Sequence, residues 1–432
     1  MATRPVNTSR RNFIKGAAAV SLFHIIPRHV LGGDGTPGAN DRINHAIVGV
    51  GGMGMGHVGY CLNDKQAQLV AVCDVDKGHL DGAVKKAGPN CKGYKDFREM
   101  LDRGDIDVVH VPTPPHWHAL VSIAALNAGC DVWCEKPMTR TIAEGQHVID
   151  AVKRNGRVFR LNTWFRMYGG FYGFGSEVKQ IKKLVQSRLL GWPLTVRVSP
   201  FNGFDWKMNW SGLVNQKPEP VPENFDYDMW LGPAPFKPYT KHRTHGSFRG
   251  YWDYDGGGLS DMGQHYLDPV QYLLEKDDTS PIEVEAHAPF PAHPDACGSW
   301  GWVKMRYADG CQIIMDSGSW GEPISQGMPY IEGPKGKLYR GFKTDPPELA
   351  EKVKYLPDPE PQVSDFNVSI RTRQKFGLNE VNGNRSCILI HLANAAIRTG
   401  RKLQFDPVKQ RFINDEEANR LADQPMRAPW HL

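Results

Sequence analysis

His45-Ala46-Ile47-Val48-Gly49-Val50-Gly51-Gly52-Met53-Gly54 is the stretch on which the fold turns. Residues 45–50 are a continuous apolar run of strand length, and residues 53–62 have helical spacing. The glycines at 49, 51 and 54 therefore lie in a strand-to-helix turn. The first permits the tight turn, the second lets backbone approach a pyrophosphate, and the third lets the helix pack on the strand. The start of that helix would present unpaired N–H groups to phosphate. Further on, Asp74 ends a second apolar run, 69–74, and stands 20 residues after Gly54. A carboxylate there accepts hydrogen bonds from an adenosine ribose. Gly49, Gly51, Gly52, Met53, Gly54 and Asp74 are thus expected to hold a dinucleotide. Asp74 favours NAD, because it would repel a 2′-phosphate; nearby Lys77 leaves NADP open.

Outward from this turn, elements alternate. Residues 97–103, 116–128 and Ile142–Asn155 read as helices, and 107–111, 131–134 and 158–161 as buried strands. Short apolar strands between helices imply right-handed crossovers and a parallel sheet. From about Trp164 the chain turns to loops rich in Trp, Pro and Gly. Strand-like stretches then recur at 194–199, 282–287, 302–307 and 312–317 without helices between them, which implies antiparallel pairing. Residues 384–399 read as a helix. The expected fold class is α/β plus α+β: an N-terminal Rossmann doubly wound parallel sheet, then a C-terminal, mostly antiparallel sheet. Expected domains are a signal and linker at 1–40, a dinucleotide-binding domain at 41–162 and a second domain at 163–432.

A chain of 432 residues suits two domains, and 40% hydrophobic with 23% charged residues is globular composition. The formal charge is +5, but residues 1–40 contribute +4 of it through Arg4, Arg10, Arg11, Lys15 and Arg28 against Asp34. The remainder is close to neutral, so no nucleic-acid partner is expected. Ser9-Arg10-Arg11-Asn12-Phe13-Ile14-Lys15 matches a twin-arginine signal, followed by an apolar stretch at 16–26. That stretch is shorter than the roughly 18 residues needed to span a bilayer. Export by the twin-arginine route to the periplasm or another extracytoplasmic space is expected, with no other membrane association. The eight cysteines show neither a C-x-x-C pair nor zinc-ligand spacing. A twin-arginine substrate folds in the reducing cytosol, so they are expected as buried, unpaired side chains.

Two further segments carry chemistry. Glu135-Lys136-Pro137 follows the strand at 131–134, at the carboxyl edge where open α/β sheets bind ligands. Gly256-Gly257-Gly258-Leu259-Ser260-Asp261-Met262-Gly263-Gln264-His265 runs from a glycine-rich loop into a helix that presents Asp261 and His265 on one face. With Pro112-Thr113-Pro114-Pro115-His116-Trp117-His118, His391-Leu392-Ala393-Asn394 and Gly400-Arg401-Lys402, these segments resemble the glucose-fructose oxidoreductase and inositol dehydrogenase (Gfo/Idh/MocA) family over nearly the whole mature chain. The resemblance implies a two-domain subunit in which 163–432 is the substrate-binding and oligomerisation domain, commonly forming a dimer or tetramer through its open-faced sheet. It also implies that Thr113, Pro114 and His118 line the nicotinamide side, with Glu135 and Lys136 touching its ribose or amide.

Oxidising a sugar alcohol needs a base, a charge to steady the alkoxide and a C–H bond aimed at the nicotinamide. His265 suits the base, Lys136 the charge, and Asp261 can orient His265 or bind a neighbouring hydroxyl. Trp164 and Arg166 are the expected substrate contacts, by stacking and forked hydrogen bonds. His116 and His118 lack a third ligand at suitable spacing, so no metal is expected. The expected activity is NAD(P)-dependent oxidation of a sugar or glycoside hydroxyl, with a tightly bound cofactor recycled internally. One alternative is an NAD-dependent, redox-neutral glycosidase; another is a non-catalytic sugar-binding protein.

Overall fold

The computed structural model describes residues 38, 41–163, 165–166, 178–320 and 323–432. The arginine-pair segment and Trp164 lie outside the described residues.

The first sheet is built from β1 (Ile43–Val48), β2 (Ala67–Cys73), β3 (Lys92–Tyr94), β4 (Val108–Val111), β5 (Asp131–Glu135) and β6 (Phe159–Asn162). Their spatial order is β3-β2-β1-β4-β5-β6, with every ladder parallel. Helices α1 (Gly52–Asn63), α2 (Lys77–Ala87), α3 (Phe97–Leu101), α4 (His118–Asn127) and α5 (Ile142–Asn155) make the crossovers. All of β4 and β5 is buried, which is why these strands read as unbroken apolar runs. Helix α5 is fixed at both ends by local chemistry. Thr141 and Glu144 form a capping box, and Gly156 closes it in the left-handed region at φ 60°.

The second sheet orders its strands β13-β12-β11-β7-β10-β9-β8-β14-β15. They are β7 (Thr195–Val198), β8 (Glu283–His287), β9 (Trp302–Arg306), β10 (Gln312–Asp316), β11 (Ile331–Gly333), β12 (Gly336–Tyr339), β13 (Lys343–Asp345), β14 (Leu403–Asp406) and β15 (Arg411–Phe412). Only β7 and β10 pair parallel, so the sheet is mixed and mostly antiparallel. Along β9, Val303 and Met305 are buried while Trp302, Lys304 and Arg306 are partly exposed, the alternation of a sheet packed on one face.

The packed face is covered by α6 (Val178–Gln186) and α8 (Gly257–Leu273), with the short α7 (Tyr227–Leu231) lying between these two in sequence. Beyond them come α9 (Glu348–Val353), α10 (Phe366–Thr372), α11 (Glu380–Thr399) and α12 (Glu416–Ala422). Every residue of α8 except Tyr272 is buried, since the helix packs against both α6 and α11. Such crowding explains its opening glycines: a Cβ on Gly258 would stand 1.9 Å from the Trp206 carbonyl oxygen. Although α10 follows the second sheet's first seven strands in sequence, its Phe366 and Ile370 join Phe376 and Leu378 in the core beneath β5 and β6. All eight cysteines are buried and unpaired. No helix among the described residues is long and apolar enough to cross a membrane.

Candidate active site

Strand order reverses between β1 and β4, and the loops at the carboxyl ends of these strands splay apart. A cleft of about 400 Å³ opens there, walled by the glycine turn, the ends of β2, β4 and β5, the segment 225–249 and the start of α8.

Its floor is the glycine turn. Gly49 has φ +89°, which strains any side chain, and a Cβ on Gly54 would lie 1.9 Å from the Gly49 carbonyl oxygen. At Gly51 the nearest atom to a Cβ is the His79 ring at 3.7 Å, and at Gly52 nothing lies within 4 Å, so the backbone stands open to the cleft. No side chain caps the start of α1, which leaves its first-turn N–H groups for an anion. Asp74 holds the turn from the side. Its Oδ2 accepts the Val50 N–H at 2.7 Å, and its Oδ1 accepts that of Asp76 at 2.8 Å. A hydrogen bond to Asp74 raises the His79 imidazole above its ordinary pKa. Lys77 is paired with Asp81 on α2 and does not line the cleft. Uncapped N–H groups, room for a pyrophosphate and a carboxylate lining the cleft at the end of β2 together fit NAD.

The opposite wall carries the ionic centre. Lys136 Nζ donates to Asp261 Oδ1 and to the Asp261 carbonyl oxygen, each at 2.9 Å. Arg249 Nε donates to the same Oδ1 at 2.7 Å. Burial opposes ionisation of Asp261, but Lys136 and Arg249 outweigh it and hold the carboxyl below its usual range. Asp255 goes the other way: burial and the charge of Asp261 push it well above. The loop after β5 is pinned to α8 by Gln264, whose Oε1 accepts the Met138 N–H at 2.9 Å. Ser260 on the same helix accepts from Asn394 at 2.8 Å, which gives the His391–Asn394 motif a positioning part.

Sequence reasoning and geometry part company at three residues. His265 lies one turn beyond Asp261 but is wholly buried, outside the cleft lining, and packs near Phe165; burial and the Lys136 charge drive its pKa well down. His118 does not line the cleft either. Its ring bridges the carbonyls of Pro137 and Thr113, each at 2.7 Å, tying together the loops that do. Arg166 does not line the cleft: its guanidinium binds Asp268 at 2.9 Å and Asp277 at 2.6 Å and stacks on Tyr272. The polarity of an arginine beside a strand end misled, because the acids that hold it lie more than 100 residues later. Gly49, Gly51, Gly52, Met53, Asp74, Thr113, Pro114, Glu135, Lys136 and Asp261 do line the cleft.

Arg249, Phe225 and Phe248 were not singled out from sequence, yet they line it too, together with Trp230. They project from a small aromatic cluster that also holds Tyr227, Tyr239, Tyr251 and Tyr254. The only signal was the density of aromatic residues between 225 and 254. His116 Nε2 and Trp117 Nε1 both meet the Trp230 carbonyl, at 3.0 and 2.9 Å, and so fasten this cluster to the first sheet.

Comparison with known proteins places the architecture. Residues 43–163 match the family model described as "Oxidoreductase family, NAD-binding Rossmann fold", and residues 174–432 match "Oxidoreductase family, C-terminal alpha/beta domain". The chain is similar to an inositol 2-dehydrogenase of Salmonella paratyphi B, 34% identical over 36% of this chain and 45% of that one. It is also similar to a glycosyl hydrolase family 109 protein of Shewanella baltica, 30% identical over 34% of this chain and 38% of the relative. The chain thus spans less than half the length of these curated relatives. Among solved structures, the WlbA dehydrogenase of Bordetella pertussis in complex with NADH and UDP-GlcNAcA shares the fold. Its TM-score is 0.58 at 20% identity, over 84% of this chain and 99% of that one. The myo-inositol 2-dehydrogenase of Lactobacillus plantarum shares it with TM-score 0.52 at 17% identity, over 84% and 100%. The N-terminal domain is an NAD-binding Rossmann domain, and the chain belongs to the Gfo/Idh/MocA oxidoreductase family.

Proposed function

We propose that this protein is an NAD-dependent oxidoreductase acting on a ring hydroxyl of a sugar, cyclic polyol or glycoside. The observation that carries the reading is the Lys136–Asp261 contact at 2.9 Å, set in the cleft wall across from an uncapped helix start. Bound NAD supplies a hydride acceptor at the sheet edge. Two N–H bonds of the Lys136 ammonium go to Asp261, and the third is left for a substrate oxygen as it gains negative charge. Arg249 and Asp261 fix the position of that ammonium, and Asp261 offers its second oxygen to a neighbouring hydroxyl. His265 backs Asp261 as a neutral imidazole behind the cleft surface. Phe225, Trp230 and Phe248 give an apolar wall against which a sugar's C–H face can lie.

Similarity to a glycosyl hydrolase family 109 protein and to an alpha-N-acetylgalactosaminidase of Shewanella oneidensis favours a second reading. In it, a temporary C3 ketone acidifies the C2 proton, the C1 substituent leaves, and water addition followed by reduction completes hydrolysis. The arginine pair at 10–11 supports export of the folded protein with its nucleotide tightly held. Denaturing the purified protein should release NAD in stoichiometric amount. Incubation with myo-inositol, free hexoses and 4-nitrophenyl glycosides should then either reduce the retained nucleotide or release nitrophenol with solvent deuterium at C2. The first outcome selects the dehydrogenase and the second the glycosidase. Neither, together with undiminished sugar binding in Lys136→Ala, would leave a non-catalytic binding protein.

A further inference from the structure

Two distant stretches of chain meet beside Asp74 at the edge of the nucleotide cleft. One is the turn from β2 into α2, which carries Asp74, Asp76 and His79; the other is the second domain's segment from Asn224 to His245. Asp76 and Phe225 form an antiparallel bridge. The Lys77 N–H donates to the Asn224 carbonyl oxygen at 2.9 Å, and the Asp226 N–H to that of Val75 at 3.0 Å. His245 stands at the far end of this seam, its ring 5.1 Å from that of His79 and 5.2 Å from that of Phe225. His79 and His245 both line the cleft, with side chains 39% and 42% exposed, so an ion can reach them from solvent.

Asp76, His79 and His245 each bring one donor atom to within 4.8 Å of the other two. His245 Nε2 lies 3.6 Å from Asp76 Oδ2, longer than a hydrogen bond. Zinc bonds of about 2.0–2.1 Å set tetrahedral ligand atoms roughly 3.3–3.4 Å apart. One pair is therefore close to that spacing, and rotation of the partly exposed His79 ring brings in the third. Two of the ligands are also held from behind. Asp76 Oδ1 accepts the N–H groups of Gly78 at 2.7 Å and His79 at 3.2 Å, which caps α2 and leaves Oδ2 for another partner. Asp74 Oδ2 stands 3.8 Å from His79 Nδ1, a carboxylate behind an imidazole as in many metal sites, and leaves Nε2 for an ion. Burial and the nearby His79 lower the His245 pKa, so its ring offers a lone pair at neutral pH. Lys77 is drawn to Asp81 and does not neutralise Asp76. His245 also sits at φ 52°, a left-handed conformation that costs energy for a residue with a Cβ and gathers at ligand clamps.

We propose that Asp76, His79 and His245 bind a divalent transition metal of the zinc class, which fastens the cleft-lining segment 224–245 to the end of β2. Two imidazoles and one carboxylate suit zinc, whereas magnesium and calcium prefer all-oxygen sets. Two ligands come from the first domain and one from the second, so parting the two segments breaks a metal bond. A loaded site therefore slows the escape of NAD from the cleft. The site takes no part in hydride transfer and does not depend on which substrate the protein oxidises. Sequence spacing hides it, because His245 is far along the chain from His79 and Asp76 alone reads as a helix cap.

The full-length protein, stripped of metal with EDTA and held at about pH 8 so that zinc need not displace a proton from His79, is titrated with zinc against a chromophoric chelator. The wild type should take up one zinc per chain, and His245→Ala should bind it at least tenfold more weakly. Asp76→Asn keeps a capping side chain at α2 and should show the same loss; it carries the comparison if His245→Ala does not fold. Exchange of bound NAD for isotope-labelled NAD should slow several-fold when zinc is added to the wild type, and should not respond in the variant. Absence of zinc uptake by the wild type overturns the site. Equal uptake by wild type and variants also overturns it, and assigns the ion elsewhere, for example to the buried His45, Cys61 and His110. Zinc that depends on His245 but leaves NAD exchange unchanged overturns the fastening.

Discussion

Lys136 Nζ touches Asp261 twice, at the carboxylate and at the backbone carbonyl, both at 2.9 Å, so a single ammonium joins the end of β5 to the first turns of α8. The two halves of the cleft, one from each sheet's domain, therefore share one buried ion pair. Replacing Lys136 with Met keeps the aliphatic stem and removes the charge. Arg249 stays on Asp261, so the carboxylate keeps one cation. Steady-state kinetics should show kcat lowered by about 100-fold or more. Chemical denaturation should show a loss near the low end of the roughly 3–5 kcal/mol typical of a broken buried pair. Retained nucleotide should be unchanged. Turnover within a few-fold of the wild type would remove Lys136 from the chemistry.

Gly54 separates nucleotide binding from turnover. Its missing Cβ leaves room for the Gly49 carbonyl oxygen, which a methyl would approach to 1.9 Å. Gly54→Ala must push α1 away from β1 and misdirect the uncapped N–H groups. Mass spectrometry of the denatured protein should recover little or no NAD from this variant. Gly52→Ala, where a Cβ meets nothing, should keep it. Full retention by Gly54→Ala would mean that the turn does not seat the pyrophosphate.

Much of this was legible in the sequence, for physical reasons that differ by element. Strands buried on both faces announce themselves as apolar runs, and α5 carries its own caps in Thr141, Glu144 and Gly156. The fingerprint glycines and Asp74 are local, so their roles follow from spacing alone. Helix α2 and strand β3 went unread. Only Leu80 and Ala83 of α2 are buried, so the helix lacks a strong apolar stripe, although Asp76 caps its start. Arg249 and Trp230 reach the cleft from short helical turns set among long loops, where no extended periodicity marks which side faces the first sheet. Asp76, His79 and His245 were invisible as a set because they come together only when the segment 224–245 folds against the end of β2.

Arg166 should behave as a structural residue. Its guanidinium is fully enclosed, with Asp268 and Asp277 both accepting from it, so Arg166→Met strands the wholly buried Asp268 carboxylate, while the partly exposed Asp277 can turn to water. Denaturant midpoints should report a loss of about 3–5 kcal/mol. The fraction that remains folded should keep the wild-type KM for the sugar probe. A raised KM with unchanged stability would return Arg166 to the substrate site.

His391 offers a pH-resolved test of burial. Burial of the ring, in a residue that is partly exposed, holds it at about 4 in the folded chain, against an ordinary 6.5 when unfolded. The folded pKa is depressed, so above 6.5 both states are neutral and the full stability is present. As pH falls from 6.5 toward 4 the unfolded chain takes up a proton that the folded chain refuses, and stability is lost. The loss is at most about 1.4 kcal/mol per pH unit across that window, and less to the extent that solvent reaches the ring. Other buried groups add slopes of both signs; a variant cancels them by difference. His391→Gln cannot titrate there, so it should be less stable than the wild type at pH 7.5, and the gap should shrink steadily as the urea titration is repeated down to pH 4.5. A gap that stays constant over this range would mean that the His391 ring is already charged, or already solvated, in the native protein.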